Sequence, residues 1–326
     1  MKVRFVRFNV LVLLSGLLLF FSAGSVLSQQ GNQDWEAKYK KWREDSLRIA
    51  RENQKKKAEL ERIKRENKKR SLYNEALRQY KYRNYPSALK SLNEALSIDS
   101  TFVKAYYLRA LVKRKMRKNN EAVKDYRAAL RFDPNYAKAY FGLGKLLTDL
   151  GRYQEAIDNY KRAIESDPKS HKAYYEMALV YRKMNKPNLA IEALVKATEI
   201  NPKYYKAFYV LGDLYSKQGQ YRKAITALEK AIALKSNQPV YYYLLATVYN
   251  KVGQSAKALA TAEKGLKLKS KDFDAHIAWE AGIAAKALGK YNLAISYFQR
   301  AAKRSSYKEA ADFEIKQLKR EARKSE

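Results

Sequence analysis

The feature that most constrains this chain is a spacing. The tetrapeptides "KAYY" at 104–107, "KAYF" at 138–141, "KAYY" at 172–175 and "KAFY" at 206–209 each begin 34 residues after the last. A fixed period of that length means one supersecondary unit copied along the chain, each copy burying its apolar face against the next. From about Lys69 to Ser306 there are seven copies, starting near 69, 103, 137, 171, 205, 239 and 275, the last of them two residues late. Length alone would allow two ordinary domains, but the repetition makes most of the chain one extended body.

Each copy has room for two helices. In 137–170, Tyr140, Gly144 and Leu147 stand at i, i+4 and i+7, and Ala156, Tyr160 and Ala163 give a second stripe. Gly151 lies between the stripes, where a helix needs a left-handed stop, and Asp167-Pro168 ends the second helix. Small residues recur in columns. One is alanine throughout (Ala88, Ala122, Ala156, Ala190, Ala224, Ala258, Ala294), and a second is alanine or glycine from Ala95 to Ala301. A third lies in the first helix: Ala76, Ala110, Gly144, Ala178, Gly212, Ala246 and Gly282. Such columns let two helices approach to the close end of the usual axial range.

These residues resemble the tetratricopeptide repeat family, whose period of 34 and aromatic, Leu-Gly, Tyr, Ala, Phe, Pro pattern they share. The resemblance implies an all-α fold, an α-solenoid of tandem helix-turn-helix repeats wound as a right-handed superhelix, with the first helix of each unit lining a concave groove. It also implies a scaffold that binds other proteins. The sequence departs from the pattern in places. The turn proline occurs only at 134, 168 and 202, Arg83 and Arg117 stand where glycine stops other copies, and Gly265 replaces an alanine.

Residues 1–28 read as a secretory signal: Lys2, Arg4 and Arg7, an apolar run at 10–21, and small residues at 22–28. Cleavage is expected before Gln29. The alternative is an uncleaved anchor, the one case in which membrane contact is expected. Either way the rest of the chain is expected outside the cytosol, periplasmic or in a bacterial cell envelope rather than fully secreted. The formal charge is +34, and there is no cysteine, so stability rests on packing rather than disulfides.

Residues 29–70 form a charged helical segment ahead of repeats at 71–306. Trp35, Tyr39, Trp42, Ile49, Leu60 and Ile63 keep a heptad-like stripe that Asn53, Lys56 and Asn67 interrupt. The interruptions favour a solvated or capping helix over a dimeric coiled coil. Residues 307–326 are expected to cap the last repeat through Ala310, Phe313, Ile315 and Leu318.

Adjacent helical residues point about 100° apart, so two neighbouring rings cannot share one environment. Tyr106, Tyr140, Tyr174, Phe208 and Tyr242 align with the small column and are expected to face the core. Their neighbours are expected to line a ligand groove. That groove comprises Lys104, Tyr107 and Arg114; Lys138, Phe141 and Lys145; Lys172, Tyr175 and Arg182; and Lys206, Tyr209 and Tyr243. Leu111, Thr148, Leu179, Asp213 and Ser216 continue the same face. It is aromatic and mostly basic, which fits an extended acidic or polar protein partner. A second reading is an anionic envelope polymer held by charge, and a third is a structural spacer. The plainer view of the rings is that they bridge neighbouring first helices. Aromatic and basic residues also suit single-stranded nucleic acid, a partner that an exported chain disfavours.

No enzyme, cofactor or metal is expected. His171 and His276 are the only histidines and lie 105 residues apart. "GLGKLLT" (142–148) lacks the first glycine of a phosphate loop, and "SALK" (87–90) and "SSYK" (305–308) sit at ordinary repeat positions. No residue stands out as unlike its counterparts in the other copies.

Overall fold

The computed structural model describes residues 32–325, which form fifteen helices and, among those residues, no strand. The expected signal and its cleavage site fall outside them. The helices are α1 (Asn32–Lys81), α2 (Tyr85–Ile98), α3 (Val103–Lys115), α4 (Asn119–Phe132), α5 (Ala137–Asp149), α6 (Tyr153–Ser166), α7 (His171–Lys183) and α8 (Pro187–Ile200). They continue as α9 (Tyr205–Lys217), α10 (Tyr221–Leu234), α11 (Pro239–Lys251), α12 (Ser255–Leu266), α13 (Asp274–Ala287), α14 (Tyr291–Ala301) and α15 (Ser305–Ser325). No helix among the described residues is long and apolar enough to cross a membrane.

Two compact units divide at Asn74. The first is the leading part of α1, a single charged helix on which Leu47, Ile49, Leu60 and Ile63 stay about half exposed. The second is the array of paired helices from Glu75 onward.

Local chemistry sets the period. Backbone with positive φ recurs at Arg83, Arg117, Gly151, Asn185, Gly219 and Gly253, 34 residues apart, and again at Gly289. At Gly151 the turn is closed by Arg152 N–H donating to the Leu147 carbonyl at 2.9 Å, which satisfies an end carbonyl of α5. The second helices stop on side chains. Asp99, Asp133, Asp167 and Asn201 each accept from the backbone N–H two residues on, at 2.9 to 3.3 Å.

The three small columns lie inside each pair. Ala110, Ala122, Ala129, Ala156, Ala178 and Ala190 are fully buried. A Cβ built on Gly144 would meet the Tyr160 ring at 2.9 Å, and one on Gly212 would meet Leu228 at 2.5 Å. The C-terminal cap differs in phase from expectation. Ala311 and Leu318 are fully buried, whereas Ala310 is exposed and Phe313 is 60% exposed. Helix α15 begins at Ser305, and a stripe of Ala311, Ile315 and Leu318 follows the 3.6-residue period better than one containing Phe313.

Candidate functional site

The recurrent lysines open the first helices. Lys104, Lys138, Lys172 and Lys206 are all exposed, and none has an ion-pair partner among the described residues. Each is followed by a fully buried alanine: Ala105, Ala139, Ala173 and Ala207.

The paired rings divide differently from the expectation of one buried and one waiting. Tyr106, Tyr140, Tyr174 and Phe208 are only half-buried, because the alanine before them takes the innermost position; Tyr242 alone of that set is buried. Tyr106 stacks on Phe132 at 5.7 Å with the Arg109 guanidinium 5.2 Å from its centroid. The outer rings are half-buried too, and most are wedged against the next repeat. Tyr107 meets Tyr136 edge-on at 5.6 Å, Tyr175 meets Tyr204 edge-on at 5.1 Å, and Tyr209 stacks on Tyr241 at 4.8 Å. Tyr243 lies 5.4 Å from the His276 ring. Phe141 is the exception: Ser170 stands where Tyr136 and Tyr204 stand in other copies, so its ring contact is Tyr160 of its own repeat. The bridging role thus describes these tyrosines, which stack successive repeats through aromatic edges and faces.

Burial raises the Tyr175, Tyr209 and Tyr243 hydroxyls above the ordinary tyrosine value. It pushes their neighbours Tyr204 and Tyr241 up to about 12. All present neutral hydroxyls at physiological pH.

The basic residues further along the helices each hold a carboxylate. Arg114 pairs with Asp149 at 2.8 Å, Lys145 with Glu176 at 2.7 Å and Arg182 with Asp213 at 3.8 Å, each reaching the next first helix. Asp213 also takes Lys217 at 2.9 Å. These three cations are therefore inter-repeat ties, and the face carries its uncommitted charge on the lysines at the helix starts. Sequence reasoning named the cations and overlooked their partners. The signal was present in the offset of 31 to 35 residues, about one period, between each cation and its carboxylate.

Asn250 of α11 makes a further tie, to the next first helix. Its Nδ2 donates to Glu280 Oε2 at 2.7 Å and to the Glu280 carbonyl at 3.0 Å, and its Oδ1 is buried without a hydrogen-bond partner. Burial raises the Glu280 carboxyl, partly opposed by the bond from Asn250.

The second repeat is unlike the others, contrary to expectation. Copies at 137, 205 and 239 place Leu143, Leu211 and Leu245 where this one has Arg109, and Leu147, Tyr215 and Tyr249 where it has Lys113. Buried Asp125 accepts from Arg109 through both oxygens at 2.9 and 2.7 Å and pairs with Lys113 at 2.8 Å. The three changes compensate one another inside one helix pair.

Residues 107–171 and 243–309 match the family model described as tetratricopeptide repeat, and 212–253 match one described as TPR repeat, together half of the chain. The chain belongs to the tetratricopeptide repeat family. As such it is a protein-interaction scaffold. Residues 159–231 also match the model described as anaphase-promoting complex, cyclosome, subunit 3. Among solved structures, the C-terminal part of a TPR repeat-containing protein from Cytophaga hutchinsonii is 20% identical with a TM-score of 0.63, covering 74% of this chain and 99% of that one. Pseudomonas aeruginosa PilF is 21% identical with a TM-score of 0.56, covering 63% and 93%. A tetratricopeptide repeat protein from Parabacteroides merdae is 22% identical with a TM-score of 0.51, covering 77% and 99%. At these identities the likeness is one of fold. No curated protein sequence matches the chain.

The histidines are absorbed into the repeat packing. His171 lies edge-on to Tyr204 and near Asn201, and His276 Nδ1 lies 2.6 Å from the Tyr307 hydroxyl. Among the described residues no group of three or more metal-ligating side chains gathers.

Proposed function

We propose that this tetratricopeptide repeat protein is an exported, non-enzymatic scaffold of the cell envelope that takes an extended acidic partner along its first helices. One observation carries the reading: four exposed lysines, one in each of four successive repeats, without ion pairs among the described residues, while the other cations of that face are tied to carboxylates. Successive first helices are near enough for ion pairs between them, and at a spacing of about 10 Å an extended chain would cover each step in about three residues. The ladder therefore suits a segment with an acidic residue at every third position. The N-terminal 28 residues support export through their basic start, apolar centre and small-residue end.

The test uses a fluorescein-labelled 12-residue peptide with glutamate at every third position, followed by anisotropy at two salt concentrations. Replacing Lys104, Lys138, Lys172 and Lys206 with Gln is expected to weaken binding about tenfold and to flatten its salt dependence. Phe141→Ala probes the aromatic contribution without dismantling a bridge between repeats, and is expected to weaken binding further. Peptide binding indifferent to the lysines would sink this reading. A second reading, an anionic polymer, is favoured by the charge of +34. It requires polyphosphate to bind through the same lysines with no effect of Phe141→Ala.

A further inference from the structure

The part of α1 that stands alone carries a pattern the solenoid does not use. Counting heptads from Tyr39, the a positions are Tyr39, Ser46, Asn53, Leu60 and Asn67, and the d positions are Trp42, Ile49, Lys56, Ile63 and Arg70. Ile49, Leu60 and Ile63 are 53%, 52% and 46% exposed, so the apolar positions in the middle of this seam are uncovered. At its start Trp35, Tyr39 and Trp42 stack in series, with centroids 5.4 and 6.0 Å apart.

The flanking columns identify what covers it. Every g position from the first full heptad is acidic: Asp45, Glu52, Glu59 and Glu66. The e positions are Arg43, Ala50, Lys57 and Lys64. In a parallel pair, g of one helix faces e of the next heptad in the other, which sets Glu52 against Lys57 and Glu59 against Lys64, twice over by symmetry. In an antiparallel pair g faces g and e faces e, so carboxylates would meet carboxylates. Among the described residues Glu52 and Lys57 enter no salt bridge, and Glu59 and Lys64 hold only exposed i, i+3 contacts to Arg62 and Glu61 that an interhelical pair can replace. Asn53 and Asn67 at a would each meet their own counterpart, a device that fixes register and two strands at some cost in stability. Lys56 and Arg70 at d weaken the seam further and keep the association reversible.

From this self-complementarity we infer that residues 39–70 form a parallel, in-register, two-stranded coiled coil with a second copy of this chain. The seam is roughly 45 Å long at helical rise. Pairing would present two lysine ladders together, so that a partner with repeated acidic segments gains avidity over either ladder alone.

The chain has no cysteine, which makes the test clean. Single variants Asn53→Cys, Leu60→Cys and Ala58→Cys of the full chain are oxidised in the envelope of the expressing cells and run on a non-reducing gel. Disulfide-linked dimers are expected at 53 and 60, where seam residues meet their counterparts, and not at Ala58 on the opposite face. Adding Glu52→Lys and Glu59→Lys to Asn53→Cys is expected to cut the dimer band at least about fivefold, and adding Lys57→Glu and Lys64→Glu as well is expected to restore it. Circular dichroism of the purified variants reports whether they keep their helicity. No cross-link at 53 and 60, an equal one at 58, or a band indifferent to the charge changes each overturns the parallel coiled coil.

Discussion

Asp125 is a buried carboxylate because Arg109 and Lys113 face it, and the arrangement predicts an asymmetric response to mutation. Asp125→Ala leaves part-buried Arg109 with only Asn93 and part-buried Lys113 with only the more exposed Glu121, and is expected to cost on the order of 3 kcal/mol. The triple change Arg109→Leu, Lys113→Leu and Asp125→Asn copies the pattern of the 137 repeat, and is expected to be neutral or stabilising in urea titrations. Glu280 gives a second single-residue expectation, with pH as the variable. Its folded-state pKa is raised by burial, so the fold is penalised once the pH climbs past the unfolded value, and the full penalty is present above the folded one. Glu280→Gln removes that charge and supplies an amide that can donate to the orphaned Asn250 Oδ1. The variant is expected to be more stable than the parent by about 1 kcal/mol at neutral pH, with the advantage shrinking as the pH falls through the folded pKa. Thermal melts at pH 4 and pH 7.5 compare the two; an equal gain at both would remove ionisation as the cause.

At the scale of helices, the ties between successive first helices act against the binding face as well as for the fold. Glu176 neutralises Lys145, which otherwise faces the same way as the lysine ladder. Glu176→Gln is expected to cost about 0.5 kcal/mol of stability, since the pair is partly exposed, and to tighten binding of the acidic peptide about twofold through the released cation. Anisotropy with the parent as reference reads this directly, and weaker binding would mean that Lys145 does not reach the ligand. Such ties also mark the limit of what the sequence disclosed. Helix pairs, turns and small columns were legible, because a 34-residue period superimposes seven versions of each position and local φ/ψ chemistry repeats with it. Even Arg83 and Arg117 follow the turn, taking φ of 60° and 61° where other copies have glycine. What stayed hidden was whatever depends on the angle between neighbouring units: the pairing of Arg182 with Asp213 and the one-residue phase of the α15 stripe, while the bridging that Tyr175 makes to Tyr204 was legible only as one of two readings of the outer rings. One-dimensional periodicity fixes which face a residue occupies, but not how far the next helix covers it.

From Ala110 onward, most buried side chains of the repeat array fall into two groups that meet in α10. One runs from Ala110 to Ala227, the other from Ala224 to Leu318. A furrow of about 750 Å³ opens at the same place, lined in part by Phe208, Leu211, Tyr215, Ala227 and Ala233. Other repeats carry Arg131, Glu165, Glu199 or Lys267 where Ala233 stands, and the stems of such residues can shield apolar surface that alanine leaves bare. The stability of a repeat array is close to a sum of unit and neighbour terms, so the two ends of such an array can open at different denaturant concentrations. Trp279 packs on Phe298 within the C-terminal group and is one of three tryptophans. With Trp35→Phe and Trp42→Phe in place it becomes the sole fluorescent tryptophan. Its urea transition is expected to separate from that of overall helicity, because the two groups lose structure at different denaturant concentrations. Ala233→Leu fills part of the furrow against Phe208 and Leu211 and is expected to add roughly 1 kcal/mol, drawing the two transitions together. Superimposed transitions in the parent would mean that α10 couples both groups into a single cooperative body.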